Sequence, residues 1–178
     1  YAEGKVNIKV KPVADAPTVT VKNIETTEDY NNTQEGTNKV ALELKVPSLS
    51  KDQTDKNNAT GDSPERNGEI TLTFTNSSAV TGAKIFNGVT EVATINSVNQ
   101  IVKVVIVKTS GGTDIDTDYH HNGTLPAKGG NVLYLTKSEY ESLKIQHAED
   151  NDTDIAIKIS VTSYEVDDSG KPLTGNLA

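Results

Sequence analysis

Short runs in which apolar and polar residues alternate recur along almost the whole chain. In KVALELKV (39–46) and EITLTFT (69–75), every second side chain is apolar and falls on one face. A period of two is that of a β-strand, whose successive side chains point to opposite faces. The runs with this character are 5–10, 18–24, 39–46, 69–75, 83–86, 89–95, 101–107, 131–135 and 155–164. Eight or nine short strands separated by turn residues predict an all-β fold, an immunoglobulin- or cadherin-like Greek-key β-sandwich.

Three local signals refine this prediction. Asn87-Gly88 lies between two strands, and both residue types tolerate the positive φ of a type I′ hairpin turn. The run 101–107 (IVKVVIV) is almost continuously β-branched, so we expect it to be buried on both faces. Thr136 and Glu139 have the spacing of a capping box, which predicts one short helix of about two turns.

The amino-acid composition limits which residues can form the core and which classes of function are open to the protein. Hydrophobic residues make up 34% and aromatic residues 4% of the 178 residues, and Trp, Met and Cys are absent. The core must come from Val, Ile, Leu and a few Tyr, and neither disulfides nor thiolate zinc sites can form. Seventeen basic and 25 acidic residues give a net charge of -8, which argues against nucleic-acid binding. No apolar run is long enough for membrane insertion.

Domain organisation follows from where the alternation stops. Residues 1–17 are interpreted as a strand and linker from a module junction, and 18–178 as a single sandwich module. Two polar stretches without periodicity, about 47–68 and 109–130, are interpreted as long loop insertions. An immunoglobulin-like sandwich needs about 100 residues, and loops of this length are uncommon unless they carry a function or lack order.

Acidic residues gather next to the predicted strands. Asp15 stands between Pro12 and Pro17, and the remaining acids of this kind are Glu28, Asp29, Glu149, Asp150, Asp152, Asp154, Glu165, Asp167 and Asp168. Those expected to converge with Asp15 are Glu28 or Asp29 and Asp167 or Asp168. In a Greek-key sandwich, the linker before the first strand and the loop between the last two strands lie at the same end. Carboxylates that meet there repel one another unless a cation lies among them, and Ca²⁺ favours such oxygen donors. The alternative is that each acid is a solvated turn residue.

The insertion 109–130 contains a second acidic alternation. Asp114, Asp116 and Asp118 resemble the first half of an EF-hand loop, but neither the sixth-position Gly nor the twelfth-position Glu is present. We interpret these three acids as a possible cation or ligand site. The adjacent pair His120-His121 is more typical of a polar loop than of a zinc site, because neighbouring side chains on an extended chain point apart.

Motifs for catalysis are absent from the sequence. It contains no Gly-x-Ser-x-Gly elbow, no phosphate-binding glycine loop and no His-Glu-x-x-His. We therefore predict that the protein is not an enzyme.

Several segments together resemble a known family. These are PVADAPTVTV (12–21), GEITLTFTN (68–76), LYLTKSEYESLKI (133–145) and DNDTDIAIKISVTSYEVDDSG (150–170). In this order they resemble the tandem repeats of giant bacterial RTX adhesins exported by type I secretion. The segment 161–173 is also similar to the Asp-x-Gly-x-Pro turn that ends cadherin-like modules.

The resemblance implies a calcium-stiffened sandwich that extends an adhesin from the bacterial cell surface. Its junction ligands would be Asp15, Glu28, Asp29 and Asp168, and Asp150, Asp152 and Asp154 match the family's acidic run before a strand. The implied partners are neighbouring modules of the same chain. The alternative is an adhesion module that binds a host or surface carbohydrate or protein through the 109–130 loop. The segment 5–10 belongs either to the preceding module or to this sandwich.

Overall fold

Eight strands and one short helix make up the fold in the computed structural model, which describes residues 14–25, 39–49, 63–75, 81–121, 123–148, 153–167 and 169–173. The elements are β1 (Lys39–Ala41), β2 (Glu65–Phe74), β3 (Lys84–Asn87), β4 (Thr90–Thr94), β5 (Ile101–Ile106), β6 (Val132–Leu135), α1 (Lys137–Glu141), β7 (Lys144–Gln146) and β8 (Ile157–Glu165). The strands form two four-stranded sheets, ordered β1-β7-β3-β4 and β6-β5-β2-β8. The predicted all-β sandwich is confirmed. The predicted strand at 5–10 lies outside the described residues.

The sandwich core lies between the two sheets and is built mainly from aliphatic side chains. Ile70, Leu72 and Phe74, the apolar face predicted for 69–75, are fully buried on β2. Tyr140 and Leu143, from α1 and the turn after it, close the same core. Burying these side chains contributes about 1.5–3 kcal/mol each relative to leaving them exposed.

The long loop between β5 and β6 covers the outer face of these two strands. They run parallel, so the chain must cross over between them, and residues 107–131 make that connection. Val105 and Tyr134 are buried on the outer face, where Ile115 and Leu125 of the loop pack against them. We predicted that 101–107 is buried on both faces. The apolar side chains from Val102 onwards are buried, which confirms the prediction for them, whereas Ile101 is exposed.

One predicted strand is shorter in the structure than its alternation pattern, and another is absent. Leu42 and Leu44 are buried as predicted, but β1 ends at Ala41. Glu43 has a φ of 46°, a left-handed conformation that breaks a strand. In 18–24 the structure has only a bridge from Thr18 to Ser48, so the predicted strand there is wrong.

The predicted β3–β4 hairpin forms, but its turn is displaced by one residue. Asn87 pairs with Thr90, so the loop residues are Gly88 and Val89. Gly88 alone of the two has a positive φ, 61°, which suits glycine at the first turn position. Asn87 therefore ends the strand instead of forming the turn. The three-residue β7 was not predicted.

The predicted capping box is present at the start of α1. Thr136 Oγ1 accepts a hydrogen bond from Glu139 N at 3.2 Å, and Glu139 Oε2 accepts one from Thr136 N at 2.7 Å. We expect Thr136→Ala to lower the free energy of unfolding by about 1 kcal/mol, because the backbone N–H of Glu139 loses its acceptor. Urea denaturation measures the loss, with Thr117→Ala in the exposed part of the loop as the control. Equal effects of the two variants would contradict a capping role.

Tyr140 carries a buried hydroxyl, which has no hydrogen-bond partner among the described residues. Burial, and then the charge of Glu141, raises its pKa above the ordinary 10.0. As the pH rises, the unfolded chain therefore loses this proton before the folded chain does. The contribution of this hydroxyl to the free energy of unfolding is constant below about pH 10 and falls as the pH rises further. We expect Tyr140→Phe to lose less stability than the wild type between about pH 8 and about pH 11 in urea denaturation. An equally steep loss in the variant would contradict this assignment.

Candidate functional site at the linker end of the sandwich

The linker that contains Asp15 crosses one end of the sandwich, which we call the linker end. Asp15 N donates a hydrogen bond to Glu65 Oε1 at 2.6 Å, and Ser163 Oγ donates one to Asp15 O. Ala14 is buried beside them. The linker is therefore fixed through its backbone at the start of β2 and the end of β8. The side chain of Asp15 itself is exposed.

Apart from tyrosines, the polar and charged residues that are buried in the described part of the chain all lie at this end. They are Glu65, Asn67, Ser163 and Glu165. In the antiparallel pairing of β2 and β8, Glu65 is opposite Glu165 and Asn67 is opposite Ser163. The next pairs along the strands are apolar, beginning with Ile70 and Val161. The interior face of these two strands thus changes from apolar to polar as it approaches the linker.

The two glutamates form an unusual cross-strand pair. Only 4% of Glu65 and 8% of Glu165 is exposed. Glu165 O accepts a hydrogen bond from Leu173 N at 2.9 Å, so its backbone faces away from β2 at this position. Such non-hydrogen-bonded pairs bring their Cα atoms to about 4.5 Å and their side chains closest together. Burial removes hydration from both carboxylates, and a cation or hydrogen-bond donors beside them would offset that cost.

Asn67 adds a neutral oxygen to the same face. Its Nδ2 donates to Pro47 O at 2.9 Å, and its backbone bonds to Asp118 O at 3.0 Å and to His120 N at 2.7 Å. Its Oδ1 is buried and has no hydrogen-bond partner among the described residues. A buried amide oxygen of this kind is an acceptor for water or a ligand for a cation such as Ca²⁺.

Asp167 lies at the linker end as well, two residues beyond Glu165. Its Oδ1 accepts hydrogen bonds from Ser169 Oγ, Ser169 N and Lys171 N at 2.6, 2.9 and 2.9 Å. The bond from the Ser169 side chain, followed by the one from the Lys171 backbone, lowers the pKa of Asp167. This carboxylate therefore organises the turn after β8. Its neighbour in the sequence, Asp168, lies outside the described residues.

The other predicted metal ligands divide between the far end and undescribed segments. Asp154 precedes β8, at the end opposite Glu165. The nine residues of β8 separate the two ends by about 25–30 Å at 3.3 Å per residue. The remaining predicted ligands, Glu28, Asp29, Asp150 and Asp152, lie outside the described residues. Asp15 and Asp154 therefore cannot contribute to one ion within a single module.

The three loop acids have different surroundings. Lys137 Nζ lies 2.9 Å from Asp116 Oδ1 and 2.5 Å from Asp118 Oδ2, whereas Asp114 is exposed. Burial alone would lower the pKa of Lys137, but the hydrogen bonds and charges of Asp118 and Asp116 outweigh it and raise the pKa. The ammonium group thus occupies the position between two of the acids. A cation bound there would have to displace it.

Within the described ranges, no three carboxylate or imidazole groups come together as a metal site. A cation at the linker end would therefore depend on Glu65 and Glu165 together with neutral oxygens such as Asn67 Oδ1. All of these are hard oxygen donors, and calcium accepts mixed sets of this type. The donor chemistry fits calcium.

The sequence pattern alone did not identify Glu65 and Glu165 as site residues. Glu65 falls in the polar stretch 47–68, which was interpreted as a loop insertion, although β2 begins at Glu65. A β-bulge between Asn67 and Ile70 shifts the alternation by one residue. If the alternation of 69–75 is continued towards the N-terminus without this bulge, Glu65 is assigned to the outer face instead of the interior face. Glu165 is in phase with Val161 and Ser163 and could have been assigned to the interior from that spacing.

Comparison with known proteins gave no match to a family model, to a curated protein or to a solved structure. No helix in the described part of the chain is long and apolar enough to span a membrane.

Proposed function

We propose that the chain is a structural module of a large secreted bacterial surface adhesin, stiffened by Ca²⁺ at its junctions with neighbouring modules. The observation that carries the proposal is the buried pair Glu65 and Glu165 next to the linker residue Asp15. A divalent ion there would neutralise the two carboxylates and tie the linker to the sandwich. The ordered adhesin-like motifs and the net charge of -8 support the same function.

The position of the acids supports a mechanical role. The linker is bonded to β2 through Glu65 and to β8 through Ser163, so its direction depends on the relative position of these two strands. Repulsion between ionised Glu65 and Glu165 would loosen that arrangement, and neutralisation would tighten it. Asp154 lies before the other end of β8, where we place the next junction. A row of such modules would behave as a stiff rod in calcium and as a flexible chain without it.

Calcium-assisted ligand binding in the 109–130 loop is the alternative function. The ion pairs of Lys137 with Asp116 and Asp118 do not favour it, because a bound ion would have to displace the ammonium group. We therefore propose a structural rather than a catalytic or calcium-dependent ligand-binding role for these acids.

An anomalous-diffraction experiment tests the proposed calcium site directly. Crystals grown in calcium and soaked with a lanthanide are expected to show an anomalous peak beside Glu65 and Glu165. The peak should be lost in a Glu65→Gln/Glu165→Gln double variant, which keeps the side-chain shapes and removes both charges. Peaks that occur only at Asp114, Asp116 and Asp118 would contradict the proposal and favour the loop. A map without any peak would contradict both.

A further inference from the structure

The outer side of β8 is a long strand edge at the margin of the second sheet, and we call it the β8 edge. β8 is the last strand in the order β6-β5-β2-β8, so one side pairs with β2 and the other is open in the described part of the chain. It has nine residues, whereas the other edge strands, β1, β4 and β6, have three, five and four. Proteins usually keep edge strands short, because an unpaired edge pairs readily with another strand. An edge of this length is therefore suited to receive a further strand.

The hydrogen bonds to β2 show which backbone groups of β8 face outwards. Ala156 O, at the start of this pairing, accepts a hydrogen bond from Thr75 N at 3.0 Å. Residues that bond to the neighbour in this way alternate along an antiparallel pair with residues that do not. Ile157, Ile159 and Val161 therefore direct their backbone groups away from β2, and the described residues supply no backbone partner for them.

The side chains of the same three residues lie at the margin of the core. Ile157, Ile159 and Val161 are half-buried and pack against the cluster between the two sheets. Lys158 is the single charged residue in 157–164, so little charge opposes pairing along this edge. A strand with the same alternation, laid beside β8, would cover the exposed parts of these apolar side chains and bond to the outward backbone groups.

The turn after β8 shows the direction that such a strand would take. Asp167 N donates a hydrogen bond to Lys171 O at 2.8 Å, which reverses the chain. Leu173 N then donates one to Glu165 O at 2.9 Å. The returning chain thus lies beside the last residue of β8, on the side away from β2. A strand that follows this direction runs antiparallel to β8, and antiparallel pairing is slightly more stable per residue than parallel pairing.

One segment of the sequence has the pattern that the β8 edge requires. It is the predicted strand 5–10 (KVNIKV), which lies outside the described residues. In an extended strand, Val6, Ile8 and Val10 share one face and would continue the half-buried apolar row of β8. Six extended residues span about 20 Å, close to the length of β8 before Glu165.

The direction of the chain favours this segment from a second copy over the same segment in its own copy. Within one copy, 5–10 leads into Asp15, whose carbonyl oxygen accepts a hydrogen bond from Ser163 at the linker end. On the β8 edge of its own copy, the segment would run towards the linker end and therefore parallel to β8. The segment of another copy has no such restriction and can lie antiparallel, in the direction that Leu173 takes.

Charge also favours the association of two copies through this contact. The segment 5–11 contains three lysines and no acidic residue, whereas the whole chain has a net charge of -8. A basic segment is attracted to an acidic protein, and salt screens the attraction between exposed charges. The association should therefore weaken as the salt concentration rises.

We propose that the β8 edge binds residues 5–10 of a second copy as an antiparallel strand. The contact adds a fifth strand to the second sheet, with affinity from backbone hydrogen bonds and specificity from the apolar side chains of the segment. It deepens the proposed function by naming the strand that a neighbouring module would supply, and it rests on that function only for the identity of the partner. Neither Glu65 nor Glu165 takes part.

A synthetic peptide of residues 4–12 (GKVNIKVKP) tests the β8 edge directly. It is added to the isotope-labelled whole chain, at a protein concentration below the onset of self-association, in a two-dimensional NMR titration. We expect the peptide to shift the amide signals of Ile157, Ile159 and Val161 and to slow their hydrogen exchange, because their N–H groups gain partners.

Two N-methylated peptides form a matched pair that assigns the binding mode. Methylation at Ile8 removes an N–H group that faces β8 when the apolar side chains face the interior, whereas methylation at Asn7 removes one that faces away. We expect the Ile8 peptide to bind about tenfold more weakly than the Asn7 peptide, the effect of one lost backbone hydrogen bond.

Sedimentation velocity of the whole chain tests the contact between copies. We expect association that increases with protein concentration and decreases with added salt. Ile8→Asp should abolish it, because a charge would enter the apolar face of the strand. Asn7→Asp is the control, since it adds the same charge to the opposite face. If Ile8→Asp fails to fold, the N-methylated peptides still decide the question.

Three outcomes would overturn the proposal. The first is a peptide that shifts no signals on β8, or that shifts those of another edge strand instead. The second is slow exchange of the β8 edge amides at the lowest protein concentration, which would place 5–10 on its own copy. The third is equal binding of the two N-methylated peptides, or equal association of Ile8→Asp and Asn7→Asp. None of these outcomes bears on the anomalous peak at Glu65 and Glu165, and a missing peak would leave strand binding unaffected.

Discussion

Calcium at about 10 mM is expected to raise the thermal midpoint of this chain by about 3–10 °C over its value in a chelator. Extracellular calcium sites have dissociation constants of about 10⁻⁴ to 10⁻³ M. An excess of about 10- to 100-fold over such a constant stabilises the folded state by about 1.4–2.7 kcal/mol. For a domain of this size, each kcal/mol corresponds to about 2–4 °C. Differential scanning calorimetry measures the shift.

The variants separate this effect from a general influence of ionic strength. We expect Glu65→Gln/Glu165→Gln to lose the calcium shift, because the two charges that would bind the ion are gone. Asp114→Asn is the control, since Asp114 is exposed and makes no contact with the pair. Magnesium at the same concentration supplies the same charge but tolerates irregular oxygen sets poorly, so its shift should be smaller. Equal shifts in the control and the double variant would count against a site at this pair.

The strand pattern could be predicted because it depends on local alternation. The burial of Ile70, Leu72 and Phe74 follows from the period of two, and the capping box follows from the spacing of Thr136 and Glu139. Both signals are contained in fewer than ten residues. Neighbouring residues alone therefore predicted these parts of the fold.

What the sequence could not predict depends on pairing across the sheets. The juxtaposition of Glu65 and Glu165 requires the register of β2 against β8, and that register includes a bulge at Gly68 and Glu69. The contact between Lys137 and the loop acids joins residues about twenty positions apart through the packing of α1 against the loop. A bulge and a crossover have no simple period, so alternation cannot predict the side chains that they bring together.

The 109–130 loop shows how an insertion that lacks a pattern can still be part of the core. Its length suggested that it either carries a function or lacks order. In the structure, it connects two parallel strands and covers apolar side chains that would otherwise be exposed on the outer face of β5 and β6. Tyr134 is the largest of these side chains, and its hydroxyl donates to Pro126 O at 3.0 Å. The loop therefore has a structural reason for its length that is separate from ligand binding.

This structural role predicts a large effect from one substitution. We expect Tyr134→Ala to lower the free energy of unfolding by about 3–5 kcal/mol, as for other large buried aromatic side chains, and the thermal midpoint by about 6–20 °C. Tyr134→Phe keeps the ring and loses only the bond to Pro126, so it should cost about 1 kcal/mol. Val89→Ala is the surface control, because 88% of Val89 is exposed. Chemical denaturation of the three variants measures these differences.

The comparison of the two tyrosine variants decides between a packed loop and an independent one. If the loop is an appendage, the outer face is effectively at the surface, and both variants should differ from the wild type by less than about 0.5 kcal/mol. If the loop is part of the fold, Tyr134→Ala also removes the largest side chain that packs with Val105 and Leu125, and amide hydrogen exchange in 109–130 should accelerate together with that of β6. Fast exchange in the loop with unchanged exchange in β6 would contradict a shared structural unit.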